Sequence, residues 1–298
     1  MNLDVSIIIV NYCTAGLVAD AVQSVVRLTQ GVSYEVLIVD NASPDGSGAE
    51  LLARYASDKD VKVILSDVNL GFGGANNLGF CQSQGRNVLL LNPDTVLLND
   101  AVSLLSIYLD DNEEVGVCGG NLYTAERRPA SSFKRLFPSL ASELSSLMCH
   151  VPERLRYGRN VTFNHSRYAL DVAFIVGADL MIRRSLAEEL GLFDTAFFMY
   201  YEETDLCRRV KERGYAVRSV PGARICHLEG KSISNLDRKA EINYNSRRIY
   251  MNKHHSPAYV AMCDFVFRMS VSLRLFFLTL TGGNKTYWGT MKKMFAKR

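Results

Sequence analysis

The chain has 298 residues, 48% of them hydrophobic and 22% charged, a balance that excludes disorder and leaves room for one large domain with or without an appended segment. Its formal net charge of +3 and pI near 8.4 are too mild for a protein that neutralises nucleic-acid phosphates, so no nucleic-acid partner is expected. Seven scattered cysteines (Cys13, Cys81, Cys118, Cys149, Cys207, Cys226 and Cys263) form no C-x-x-C pair, which speaks against a disulfide framework or a zinc cluster and for a reducing compartment.

Taken in chain order, the first hundred residues alternate short aliphatic runs with helical patterns. The runs Ser6 to Val10, Glu35 to Asp40, Val61 to Leu65 and Asn87 to Asn92 are near-continuously apolar, as parallel strands covered on both faces should be. Helical patterns between them cover about Leu17 to Leu28, Gly48 to Tyr55 and Ala75 to Gln84. A further helix is expected over Asn99 to Asp111, before a strand at Val115 to Cys118. This is a βαβ series and predicts a parallel sheet. The chain enters its first strand by Val5 with no basic segment ahead of it, so no signal peptide is predicted and the expected location is the cytoplasm.

From about Tyr123 to Arg167 the pattern weakens, and basic residues mix with Ser, Pro and aromatics. The segment 123–167 reads either as an excursion covering the active face or as a mobile surface loop. Order resumes over Leu170 to Val176, followed by Gly177, Ala178 and Asp179 and a short helix ending near Gly191. Farther on, Met262, Phe265, Val266, Met269, Leu273, Phe276, Phe277 and Leu280 fall on one helical face. Asp264, Arg268 and Arg274 interrupt any long uncharged run, so no membrane-spanning helix is expected. With Lys285, Lys292, Lys293, Lys297 and Arg298 close behind, the stripe fits contact with a membrane surface; core packing or a partner subunit, including a second copy of the chain, are the alternatives. The expected division is a domain over 1–255 and an amphipathic, basic helical segment over 256–298.

Four loops follow the early strands and carry polar residues: Asn11 and Tyr12, Asp40 and Asn41, Asn69 to Asn77, and Asn92 to Thr95. In a parallel sheet these strand ends share one edge, so the loops predict one ligand crevice. Pro93 cannot donate to a ladder and ends its strand. Asp94 then lies in the crevice, where a carboxylate suits a divalent cation and a phosphate-bearing ligand. Taken alone, Asn-Pro-Asp-Thr is also good turn chemistry.

Asp40 and Asn41 can accept from a base or ribose, or cap a turn. Gly71, Gly73 and Gly74 precede the expected helix and would let backbone amides approach an anion. The spacing Gly71-x-Gly73-x-x-Asn76 lacks the third glycine of a dinucleotide fingerprint. Glu202, Glu203 and Asp205 open a helix that closes at Gly214, where acids suit the helix dipole. The aromatic run ahead of them would also bury a carboxylate and raise its pKa toward the general-base range. His227 ends a strand before Gly230, Lys231 and Ser232, a position suited to a metal or phosphate contact.

In order, SIIIVNY, IVDNAS, NLGFGGANNLG, LLLNPDT, FFMYYEETDLCRR and CHLEGKS resemble the family 2 glycosyltransferases with a GT-A fold, most closely the rhamnosyltransferase-like branch, over about Val5 to Asn252. The resemblance implies an α/β fold with a Rossmann-like, mostly parallel central sheet flanked by helices. It also implies inverting transfer of a sugar, with dTDP-rhamnose favoured as donor, from a nucleotide diphosphate to an acceptor hydroxyl. On the donor side would lie Asn11 and Tyr12 beside the nucleotide, Asp40 on the pyrimidine base, and Asn41, Gly71, Gly73, Asn76 and Asn92. Asp94 would hold Mg²⁺ or Mn²⁺ on the donor diphosphate, with His227 as a further contact. Gly177 and Ala178 would admit the acceptor.

Glu203 would be the general base, with Glu202 and Asp205 as substitutes. Two positions depart from the family: Asn92 stands where many members carry Asp, and Glu203 stands where the base is Asp. The acceptor implied is a saccharide or a polyprenyl-diphosphate-linked saccharide at the inner face of a bacterial membrane, in surface polysaccharide (O-antigen) assembly. A nucleotidyltransferase is a rival reading, although the first strand ends in Asn11-Tyr12 without the G-x-G-x-R loop of those enzymes. A non-catalytic nucleotide-sugar-binding protein is another, against which the retained acids argue.

Overall fold

The aliphatic runs at the front of the chain become β1 (Val5–Asn11), β2 (Tyr34–Asp40), β3 (Val61–Leu65) and β4 (Asn87–Leu91), separated by α1 (Ala15–Leu28), α2 (Ser47–Arg54) and α3 (Gly71–Gln82). A computed structural model describes residues 3–228 and 235–296; Gly230, Lys231 and Ser232, and also Lys297 and Arg298, lie outside the described residues. The chain continues through β5 (Thr95–Leu97), α4 (Ala101–Asp111), β6 (Val115–Tyr123), β7 (Phe133–Lys134), α5 (Leu140–Leu147), α6 (Val151–Tyr157), β8 (Leu170–Asp171), β9 (Phe174–Ile175) and β10 (Asp179–Arg183). It ends with α7 (Arg184–Leu190), α8 (Glu202–Glu212), β11 (Ala216–His227), α9 (Leu236–His254), α10 (Pro257–Thr281) and α11 (Thr286–Ala296).

Among the described residues nine strands form the central sheet in the order β3-β2-β1-β4-β10-β6-β11-β5, with β8 beside β11. The pairs β1 with β2, β2 with β3, β1 with β4 and β6 with β11 are parallel, and β10 runs antiparallel between β4 and β6. The carboxyl ends of β1, β2, β4, β6 and β11 therefore share one edge, where β10 begins. Period-two alternation explains why these strands read as unbroken hydrophobic runs. Ile7, Ile9, Ile38 and Leu89 point into one core layer, and Ile8, Val10, Leu37 and Leu90 into the other. Each fully buried side chain of this size stabilises by roughly 1.5–3 kcal/mol. The edge strand β3 is the exception to two-sided cover, with Lys62 and Leu65 exposed.

Several expectations need correction. Between Asp94 and the helix expected from Asn99 lies an unexpected strand: Thr95–Leu97 pairs antiparallel with β11, and Asp100 then caps α4 by accepting from the Ser103 amide. Leu170 to Val176 is not one strand, because β8 pairs with β11 while β9 pairs with β7. Asp179 opens a strand rather than a helix, since Leu180 and Ile182 fill one layer and Met181 the other. The helix expected from Ala75 begins at Gly71.

The segment 123–167 is built structure. Ser139 and Ser142 form a capping box on α5, and the Val176 amide donates to Ser132 O beside β7, which sets this segment next to Gly177. The division after residue 255 does not separate two cores. Val260 and Cys263 of α10 share a buried cluster with Phe197, Tyr250 and Met251. α10 buries Cys263, Val266, Ser270 and Val271, while Met262, Phe265, Met269, Leu273, Phe276, Phe277 and Leu280 are 40–68% exposed. The apolar stripe, without Val266, thus faces outward, which removes core packing as its explanation. Among the described residues no helix is long and apolar enough to cross a membrane.

Candidate active site

At the shared sheet edge the Asn-Pro-Asp-Thr segment is both a turn and a presenter of an acid. Thr95 Oγ1 donates to Asn92 O at 2.6 Å, closing the turn, and the Asn92 amide donates to Ala178 O at 3.0 Å. Register brings the histidine: Thr95 pairs with His227, and the Leu228 amide donates to Asp94 O at 2.9 Å. His227 Nε2 consequently lies 3.3 Å from Asp94 Oδ1, with Asp94 only 3% exposed.

The acid pair arrives from the other side of Gly177. A Cβ built on Gly177 would sit 3.5 Å from the Cβ and Cγ of Glu203, and one built on Gly73 would sit 3.8 Å from the Cβ of Glu202. The two glutamates thus diverge, Glu203 toward the Gly177–Ala178 strand entry beside Asn92 and Glu202 toward α3. Two short links join Asp94 to Glu203: the Asn92 amide on Ala178 O, and Gly177 against the Glu203 side chain. Burial pushes the Glu202 carboxyl well above the usual carboxylate range, and the Glu203 charge adds to it. Burial also raises Glu203, partly offset by backbone amides at the start of α8 and by the Thr204 hydroxyl. Charging either carboxylate is costly here, as the aromatic run before them predicts.

Among the described residues, the buried side-chain atoms without a hydrogen-bond partner include Asn92 Oδ1, Asp94 Oδ1, Glu202 Oε2, Glu203 Oε2 and His227 Nδ1. Each such atom costs about 1–3 kcal/mol if nothing ever pairs with it. Their gathering at one sheet edge marks a place built for a ligand.

The ends of β1 and β2 differ. Asn11 Nδ2 donates to Asp40 Oδ1 at 2.6 Å and to Ser47 Oγ at 2.9 Å, while Ser43 Oγ donates to the same Asp40 oxygen at 2.6 Å. Asn41 clamps the end of β2 to the next loop: its Oδ1 accepts from the Leu70 amide, and its Nδ2 donates to Asn69 Oδ1 and Gly71 O. Tyr12, next to Asn11 at the end of β1, is 39% exposed.

Three sequence-derived roles fail on geometry. The amides of Leu70, Gly71 and Phe72 are already taken by Asn41, Asn69 and Phe198 O, so the start of α3 does not offer them to a phosphate. Gly71, at φ 73°, is needed because a Cβ there would lie 2.4 Å from Phe198 O; it and Gly73 admit the 193–202 segment. Asn76 is 1% exposed and donates to Phe72 O within its own helix. Asp205 is fully buried and bound by Arg209, His254 and Lys253 at 2.7, 2.7 and 2.9 Å. Burial would raise its carboxyl, but the hydrogen bonds from His254 and Lys253 and the Arg209 charge outweigh that and hold it at about 2. It is a structural anion, unsuited to take a proton.

Sequence reading missed α9 altogether. Its signal was present in Ala240, Tyr244, Arg247 and Met251, spaced by four, three and four and all buried. Tyr200 and Tyr201, just before the glutamates, adopt φ of 67° and 71°, a strain of about 1–3 kcal/mol each for such side chains. Nothing in the local sequence signals it.

Comparison with known proteins shows the family and the fold. The model of the family described as "Glycosyl transferase family 2" matches residues 6–191, more than half of the chain. An N-acetylglucosaminyl-diphospho-decaprenol L-rhamnosyltransferase of Mycobacterium tuberculosis is 25% identical over 259 residues, 80% of this chain and 81% of that protein. A dTDP-rhamnosyl transferase of Shigella flexneri is 22% identical over 247 residues, 78% of this chain and 76% of that one. The chain spans 28% and 62% of the length of two further curated relatives, from Sinorhizobium fredii and Haloferax volcanii. A mannosyltransferase from Pyrobaculum calidifontis, solved with GDP-Man and Mn²⁺, superposes with a TM-score of 0.60 at 16% identity, covering 96% of this chain and 78% of that one. That likeness is one of fold, the GT-A arrangement. The chain belongs to glycosyl transferase family 2, and rhamnosyltransferases are among its relatives.

Proposed function

We propose that the protein is an inverting glycosyltransferase that moves a sugar, rhamnose from dTDP-rhamnose, onto a hydroxyl of a saccharide or lipid-linked saccharide. The observation that carries the reading is the set of buried atoms on Asn92, Asp94, Glu202, Glu203 and His227 that, among the described residues, have no hydrogen-bond partner. Asp94 and His227 fit a divalent cation: one oxygen and one nitrogen, both buried, would leave the remaining positions to a diphosphate and water, the habit of Mg²⁺ and Mn²⁺ at phosphate sites. Among the described residues no group of three or more His, Cys, Asp or Glu could hold a metal, so the protein's share is small. When bound, the cation would offset charge on the leaving diphosphate.

The chain's own residues do the rest. Tyr12 covers the nucleotide, and the Asn11–Asp40 pair presents a fixed polar edge to the base. Glu203, beside the gap at Gly177, accepts the proton of the acceptor hydroxyl as that oxygen attacks the anomeric carbon from the face opposite the diphosphate. The raised pKa of Glu203 makes it a stronger base than an exposed carboxylate. One displacement inverts the centre.

The acceptor is read as a polyprenyl-diphosphate-linked saccharide at a membrane surface. The support is the exposed stripe of α10 beside exposed Lys285, Lys292 and Lys293. Because the other flank of α10 is core, the apt test is Phe265→Gln with Phe276→Gln in flotation on anionic vesicles. Undiminished vesicle binding would sink that part. The reaction itself is tested with a panel of nucleotide sugars, with and without Mn²⁺, scored for transfer and hydrolysis; pyrophosphate release from a nucleoside triphosphate, or donor binding without turnover in the presence of lipid-linked acceptors, would replace it.

A further inference from the structure

The turn that presents the two glutamates is not held by its own sequence. Tyr200 and Tyr201 are consecutive left-handed residues, and Tyr201 gives α8 no side-chain cap. On one side α3 holds it, the Phe72 amide donating to Phe198 O at 2.8 Å; the restraint next to the two tyrosines comes from α9. Ser246 Oγ donates to Met199 O at 2.7 Å, and the Tyr250 ring lies on Tyr201 with centroids 5.7 Å apart. Phe197, which enters the turn, is buried with Tyr250 and Met251. On its far side α9 is anchored by Arg247, 2% exposed, which donates to Glu143 Oε1 of α5 at 3.0 and 2.8 Å and to Asp264 Oδ1 of α10 at 2.7 Å.

We infer that Ser246 is a positioning residue for the reaction: its bond to the Met199 carbonyl keeps the strained turn wound and so fixes where the Glu203 carboxylate meets the acceptor hydroxyl. Left-handed tyrosines relax toward ordinary backbone angles when nothing restrains them. Relaxation here would rotate the first residues of α8 away from Gly177, and a base displaced by about 1 Å loses on the order of a hundredfold in rate. The bond lies on the side of the turn facing α9, so it has no part in holding the donor.

The inference rests on Glu203 as base, and the test separates the two. Ser246→Ala, Ser246→Cys and Glu203→Gln are assayed together for kcat, donor KM and the pH profile of kcat. Ser246→Ala is expected to lower kcat about tenfold or more with donor KM within about twofold. Its acid limb should move to lower pH, because a relaxed turn lets water reach the carboxylate. Ser246→Cys, nearly isosteric with a weaker donor, should fall between Ala and wild type. Glu203→Gln inactive with Ser246→Ala at wild-type kcat and an unmoved pH profile overturns the positioning role alone; Glu203→Gln at full turnover overturns the base assignment beneath it.

Discussion

Two halves of one sheet edge are polar for opposite reasons. After β1 and β2, the side chains of Asn11, Asp40, Ser43, Ser47 and Asn41 satisfy one another and neighbouring backbone. After β4, β11 and the turn before α8, the side chains of Asn92, Asp94, Glu202, Glu203 and His227 each leave a buried atom without a hydrogen-bond partner among the described residues. A polar group satisfied within the chain contributes to folding, whereas one left bare costs stability until a ligand arrives. The comparison separates a half whose polar groups are spent on the fold from a half whose groups stand ready for a ligand.

The largest effect that can break this comparison is on turnover. Glu203→Gln is expected to lower kcat by about 10²–10⁴, with donor affinity kept and the unfolding midpoint unchanged or raised; a variant that loses stability would place Glu203 among the structural acids. Asp94→Ala should likewise abolish transfer while the denaturation curve stays in place, and full activity under chelation would remove the metal role.

On the opposite half the expectation reverses. Asp40→Ala removes an acceptor shared by Asn11 Nδ2, Ser43 Oγ and the Ser43 amide and should cost about 1–3 kcal/mol in chemical denaturation, along with weaker nucleotide binding. Weaker binding at full stability would mean that the network is not architectural.

A smaller effect is a pH dependence of stability. Glu202 has a folded pKa raised above its unfolded value, so its contribution to stability is fully present below the ordinary glutamate range and is lost as pH rises through the raised value. Glu202→Gln should therefore stabilise the protein at neutral and higher pH and have little effect in acid, read from unfolding midpoints across pH. Asp205 has the opposite sign: with its carboxyl held at about 2, its stabilisation persists above the ordinary aspartate range and disappears as pH falls toward 2. The smallest expected change is for Gly177→Ala, whose added Cβ meets Glu203 at an ordinary 3.5 Å. Folding should be untouched while acceptor KM rises severalfold; an unaltered KM would move the acceptor elsewhere.

The four early strands were legible because two-sided burial leaves unbroken aliphatic runs, and Asp94 was legible because a proline must end its strand before the acid. Asp94 and His227 could be singled out one by one. Their meeting at 3.3 Å follows from the pairing of β5 with β11, a three-residue strand too short to carry a periodic signal. The glycines of α3 illustrate the opposite failure. Their spacing suggested an anion loop, yet Asn41, Asn69 and Phe198 O occupy the amides of Leu70, Gly71 and Phe72, and competition of that kind is invisible along a single segment. Asp205 fails in the same way, since its partners His254 and Lys253 come from α9, about fifty residues away.

By itself, the amino-acid order determined the layered α/β architecture, the identity of the acids and histidine at the strand ends, and the apolar stripe of α10. All of these follow from local periodicity and from residues that terminate strands or cap helices. Only the tertiary structure decided which polar groups are spent on one another and which stand bare, where α9 restrains the strained turn, and that the stripe faces outward. Those outcomes depend on partners brought together across the fold, because a hydrogen bond or a buried face is a property of two segments.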